Sequence, residues 1–206
     1  IIQEAIGTGK DLTDQEIKNE VEKLTPSAAQ SFVNEIKDDQ PITYLPNPSE
    51  LTKEEMSKLK EILSGGRADR VIVVGEIRQG NRIVGGATKM FESNIKKVEG
   101  VPPVIHYHIP VTTVKNLQRM ARGKPPIGSN GKPLNLHHWH REAGGPLIAM
   151  RQFTHQTLSG LLHKYEPSEP VNNSLRNKQR KKYWKELCRE CLGPWHEILF
   201  SEEGKL

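Results

Sequence analysis

The sequence predicts an α+β protein, and three observations lead there. Stretches with helical periodicity and capping residues are set apart from short β-branched runs bounded by glycine and asparagine. No repeat or low-complexity tract joins them, and 206 residues suffice for one generous domain or two small ones. Aromatic residues make up 5% and mean hydropathy is −0.63, so the core must rely on Leu, Ile and Val.

Asp11 to Lys37 reads as helix, with Ile17, Val21 and Leu24 on one apolar face and Ala28, Phe32, Val33 and Ile36 on another after Thr25-Pro26. Asp38-Asp39-Gln40-Pro41 stops it, and a loop with Pro41, Pro46 and Pro48 leads to a second helix. Ser49 or Thr52 can cap that helix, Glu54 and Glu55 suit its first turn, and Gly65-Gly66 ends it. The β-branched run Arg70 to Ile77 and the run from Ile83-Val84 predict strands joined by a turn at Gln79-Gly80-Asn81. Val104 to Ile109 predicts a third strand. Residues 1–110 therefore read as a small α+β unit, for which the sequence suggests no role.

Thr112 to Arg122 predicts a short helix with Val114, Leu117 and Met120 on one face. Gly123 to Pro133 is a loop by composition. Leu134 to Trp139 predicts a strand, Gly144-Gly145-Pro146 a turn, and Leu147 to Phe153 a returning strand. Thr154 can cap a helix from His155 toward Leu162. Ser174 to Cys191 predicts a long helix, with Trp184, Leu187, Cys188 and Cys191 as its core face.

Charge divides the chain. Residues 1–109 hold 14 Lys+Arg against 17 Asp+Glu, a net of −3, whereas residues 110–206 hold 16 against 8, a net of +8. Six of the eight histidines lie in the second part. A basic, histidine-rich segment suits a module that handles a polyanion. On the long helix, Lys178, Lys181, Lys182, Lys185 and Arg189, with Arg176 and Arg180 alongside, can neutralise backbone phosphates without reading bases. No stretch approaches 18 consecutive apolar residues, so no membrane span is expected. Ile1-Ile2-Gln3-Glu4 lacks a start Met and signal-peptide character, so the chain reads as a segment with any targeting signal outside it. Cys188 and Cys191 exclude a disulfide framework; they form one CxxC on an apolar face and read as buried free thiols.

The most informative stretch is Leu136-His137-His138-Trp139-His140, followed by His155 and His163. Strand, turn, strand and helix bring the first strand beside the helix start. Neighbours on a strand point to opposite sides, so one of His137 and His138 can hold a metal while the other meets the substrate. Neutral imidazole is a common ligand of divalent ions. In one continuous helix, eight residues from His155 to His163 rise about 12 Å, too far for one ion. Only a break at Gly160 would let His163 join, so His155 ranks ahead of it.

Gly131-Lys132-Pro133-Leu134-Asn135-Leu136-His137-His138, Gly145-Pro146-Leu147, His155-Gln156, Leu162-His163 and Arg180 to Trp184 together resemble the LHH family. That family is one of the HNH/endonuclease VII-like nucleases, also termed His-Me finger or ββα-metal nucleases, found as the C-terminal toxin module of bacterial polymorphic toxins. Pro125-Pro126-Ile127-Gly128 also looks like the family's lead-in. The likeness covers roughly residues 112–190. It implies a ββα-metal core with flanking helices at 111–206, with His137 and His155 as metal ligands, His138 as the general base and His163 as a further candidate ligand. It also implies a divalent cofactor (Mg, Mn, Ni or Zn) and a nucleic-acid substrate, DNA ahead of RNA. An acidic immunity protein would be the partner, and the module would be a secreted or delivered effector acting in a target cell's cytoplasm. The alternatives are an RNase toxin using the same histidines and a metal-stabilised module that binds nucleic acid without cutting it. The chemistry agrees: imidazole can take a proton from water, and a divalent ion can polarise a phosphate.

Overall fold

A computed structural model describes residues 42–64, 72–86, 95–108 and 112–200. The helix expected over Asp11 to Lys37 lies outside the described residues, as do Arg70-Val71 and Ile109 at the ends of two expected strands.

The first sheet has the order β1-β2-β3. Strand β1 (Ile42–Pro46) falls where the three prolines suggest a loop. It pairs in parallel with β2 (Ile72–Gln79), which pairs antiparallel with β3 (Arg82–Gly85). Proline composition misleads here because β1 is an edge strand and Pro46 is its last residue, where a missing N–H costs little. Helix α1 (Lys53–Ser64) connects β1 to β2, and Thr52 and Glu55 cap it reciprocally: each backbone N–H meets the other's side-chain oxygen, at 2.8 and 3.3 Å.

The second sheet has the order β4-β5-β7-β6. Strands β4 (Ile95–Val98) and β5 (Val101–His106) form a hairpin, of which only β5 is predicted, and from Val104 rather than Val101. Pro102-Pro103 hides its start, but the parallel pairing of β5 to β7 uses only Val104, Ile105 and His106, so neither proline has to donate there. Strand β6 (Leu134–His138) pairs antiparallel with β7 (Leu147–Arg151). The expected strand end at Phe153 is corrected to Arg151, and Thr154 does not cap the helix that follows. That helix, α3 (Gln152–Thr157), starts straight off the strand at Arg151 with no side-chain cap. A second short helix, α4 (Ser159–Leu162), follows a break at Leu158.

Helix α2 (Val114–Ala121) is capped by Thr113 and buries Val114, Leu117 and Met120, the predicted face. Helix α5 (Asn173–Leu192) is the spine of the molecule. It packs on α2, β5 and the β2–β3 hairpin, and buries Tyr183, Trp184, Leu187, Cys188 and Cys191. Gly193 ends it with φ +50°, against Gly85 of β3: a Cβ on Gly85 would lie 3.3 Å from the Gly193 Cα. Helix α6 (Trp195–Phe200) closes the core, with the Trp195 indole N–H donating to the Pro46 carbonyl at 2.8 Å. One apolar cluster includes Leu45 and Ile77 of the first sheet and Val104, Leu136 and Leu147 of the second. The expected division at residue 110 is thus no boundary of the sheet: β5, before it, supports β7, after it.

Candidate active site

The β6–β7 register sorts side chains onto two faces. Leu136 pairs with Ala149 and His138 with Leu147; Leu136, Ala149 and Leu147 join the main core, and His138 meets Gln179 of α5. His137 pairs with Ile148, which belongs to a smaller cluster with Met150, Leu162 of α4 and Trp139. The adjacent histidines therefore serve opposite faces, as pleating requires.

On the α3–α4 face, His137, His155 and His163 converge. One ring nitrogen from each lies within 4.8 Å of the others, and His155 Nε2 is 3.0 Å from His137 Nδ1. His163 reaches the group because the chain leaves helical geometry at Leu158 (φ −90°, ψ 7°), not at Gly160 as the spacing argument requires; His163 then closes α4. The structure thus places His163 beside His155 rather than a helix length away. His137 is buried, His155 half-buried and His163 exposed, so the group opens to solvent on one side. Burial, then the neighbouring His155 and His163, then Arg180, hold His137 down to about 4; His155 is lowered chiefly by burial. Neutral rings keep their lone pairs at pH 7.

These residues fit a divalent ion. Two nitrogens bound to one ion at ~2.1 Å stand roughly 3–3.5 Å apart, close to the His137–His155 separation. Histidine alone makes up the group among the described residues, a donor set suited to a divalent ion.

His138 is 2% exposed, and its Nε2 lies 2.7 Å from the Gln179 side-chain oxygen. An amide oxygen only accepts, so Nε2 carries the proton and the lone pair sits on Nδ1, which has no partner. Burial holds the ring below its ordinary pKa; Gln179 opposes this, and Arg180 and Arg176 reinforce it. Sequence reasoning misses Gln179. Its signal is a polar residue heading the apolar i, i+4 series Tyr183, Leu187, Cys191.

The β6–β7 loop is strained, with His140 at φ +52° and Arg141 at φ +61°. The His140 ring meets Trp139 edge-on and Tyr165 at a tilt, centroids 4.6 and 4.7 Å away. Glu142 accepts hydrogen bonds from the Ser168 and Glu169 backbone N–H groups and from the Ser168 hydroxyl, which hold its carboxyl below the usual range.

The basic candidates separate. Lys178, Lys181, Lys182 and Lys185 are exposed along α5, whereas Arg180 is half-buried. Cys188 and Cys191 are buried thiols; burial pushes Cys188 up to about 12 and Cys191 higher still.

Two antiparallel strands followed by a helix, with histidines converging from the first strand and from the helix, define a ββα histidine centre. Residues 115–190 match the family described as LHH, a nuclease of the HNH/ENDO VII superfamily with conserved LHH, and this segment is an HNH-type nuclease domain. Leu136-His137-His138 supplies the motif, and His155, His163, Gln179 and Arg180 fall within the matched stretch. No solved structure matches the chain.

Proposed function

We propose that the protein is a metal-dependent endonuclease that hydrolyses nucleic-acid phosphodiester bonds, DNA ahead of RNA, and acts as an antibacterial toxin effector. The observation that carries the catalytic reading is the convergence of His137, His155 and His163, open to solvent within a nuclease domain. These three residues would hold the ion, which when bound would polarise the scissile phosphate and stabilise the departing oxyanion. His138 takes the proton from the attacking water at Nδ1, while Gln179 holds Nε2. Lys178, Lys181, Lys182 and Lys185 position the nucleic-acid backbone, with Arg180 alongside. The toxin role and an acidic immunity partner rest on the family resemblance and on the +8 charge that such a partner would cover.

Incubating plasmid or RNA with the protein and Mg²⁺, Mn²⁺, Ni²⁺ or Zn²⁺, with and without chelator, tests the reading. Chelator-sensitive nicking of plasmid supports it, and cutting of RNA alone makes the chain an RNase. Gel retardation without cutting makes it a binding module. His138→Ala should lower cleavage at least ~100-fold while metal content, measured by elemental analysis, stays at the wild-type level.

A further inference from the structure

Helix α5 carries cations of two kinds. Its lysines are solvated, but Arg180 is half-buried, its Nε is buried without a hydrogen-bond partner, and no ion pair to it occurs among the described residues. Arg176, one turn earlier on the same side of the helix, also has a buried Nε without a partner; its terminal amino group donates to Asn173. The positive field of Arg180 reaches His137, His138 and His155, and that of Arg176 reaches His138. Strand β6 is the edge of its sheet, so a side chain beside that edge can act on both faces. Desolvating a guanidinium with unpaired N–H groups is unfavourable unless an anion completes it, and its planar fork matches two phosphate oxygens.

Beside Arg180 the surface is concave. A cleft of about 360 Å³ runs between α5 and β6, lined by Pro125, Asn135, Asn177, Arg180, Lys181 and Trp184 with no carboxylate. Small-ligand pockets span roughly 300–1,000 Å³, and a cleft at the low end admits one nucleotide rather than a base pair.

We propose that this cleft is a subsite for a single unpaired nucleotide of the substrate strand, held by its phosphodiester at Arg180. The proposal deepens the nuclease reading and rests on it: the phosphate at Arg180 is delivered beside His138 and the three-histidine group, and the substrate class is a strand whose bases are unpaired at the cut. Arg180 is then a substrate-binding residue distinct in kind from the lysine track, which meets the backbone only through solvent-exposed charge.

The test uses the dinucleotide dTpdT, which has one phosphodiester, and its uncharged methylphosphonate analogue, both titrated by NMR into the full chain with chelator present so that nothing is cut. Wild-type protein should bind dTpdT at least tenfold tighter than the methylphosphonate. Arg180→Gln should erase that difference, Arg180→Lys should keep part of it, and the Lys178, Lys182, Lys185→Gln variant, which leaves the cleft lining intact, should keep all of it. Asn177→Leu, which narrows the cleft, should weaken dTpdT severalfold with an unchanged thermal midpoint. Equal affinity of wild type for the two dinucleotides, or an undiminished preference in Arg180→Gln, overturns the proposal. If Arg180→Gln fails to fold, Arg180→Lys decides: a preference as large as wild type overturns the subsite, and a reduced one supports it. The cleavage assay is separate, so Arg180-dependent binding without any cutting refutes the nuclease reading alone. Cutting without Arg180-dependent binding refutes the subsite alone.

Discussion

His106 shows how one buried ring sets a pH dependence outside the histidine centre. It is 5% exposed, hydrogen-bonds the Tyr183 hydroxyl, and is held down to about 4 chiefly by burial. In the unfolded chain it titrates near 6.5. Between these values the unfolded chain binds the extra proton, so this contribution to stability is complete above about pH 6.5 and declines as pH falls toward 4. Denaturant unfolding at pH 7 and pH 4.5 should show the wild type losing about 2 kcal/mol more than His106→Gln. Equal losses would remove His106 as the cause. At the centre, His163 is the exposed member of its group, so His163→Ala should leave stability within about 0.5 kcal/mol. Its metal affinity should fall by at least roughly tenfold, since even outer partners of a ligand carry that much. Calorimetric titration with Zn²⁺ or Ni²⁺ checks both the fall and the assignment.

At the scale of the element, the break at Leu158 matters more than any single histidine's propensity. Two short helices, of six and four residues, cannot be held by their own hydrogen bonds. Leu162 docking beneath Ile148 and Met150 fixes the second one, and His163 follows. Helix α5 behaves in the opposite way, because twenty residues with a capping Asn172 and a continuous buried stripe persist whatever its outer face carries. Changing Lys178, Lys181, Lys182 and Lys185 together to Gln should therefore preserve the fold. It should weaken binding to all nucleic-acid sequences alike, and the slope of log affinity against log salt should shrink by about one unit for each phosphate the variant no longer neutralises. An unaltered slope would reduce this face to a solvated surface.

The whole molecule is tied together across residue 110. β5 and β7 pair in parallel, Trp195 donates to the Pro46 carbonyl, and α5 buries side chains against both sheets. A fragment of residues 111–206 would keep the histidines but leave β7 without β5 and uncover part of the core around Tyr183, Trp184 and Trp195. Such a fragment should lack a cooperative thermal transition and a structured near-ultraviolet circular dichroism spectrum, where the full chain should show both. A sharp transition in the fragment would instead make the nuclease segment autonomous. Among the described residues, no helix is long and apolar enough to cross a membrane.

Local rules carry a good part of this structure. Helices α1, α2 and α5 follow from 3.6-residue periodicity and from caps, and the β2–β3 hairpin follows from its Gly80-Asn81 turn. Strands β6 and β7 follow from two short runs either side of a glycine turn, and the opposite facing of His137 and His138 follows from the pleat alone. These features depend on a few neighbouring residues, so neighbouring residues reveal them. The parallel partners β1 and β5 start under prolines and are decided by pairing with strands far along the chain, which no local pattern records. The meeting of His163 with His137, the hydrogen bond of Gln179 with His138 and the half-burial of Arg180 are likewise tertiary. Each depends on which face of a strand or helix the core occupies and where a helix breaks to fit it, and packing across the whole chain settles that.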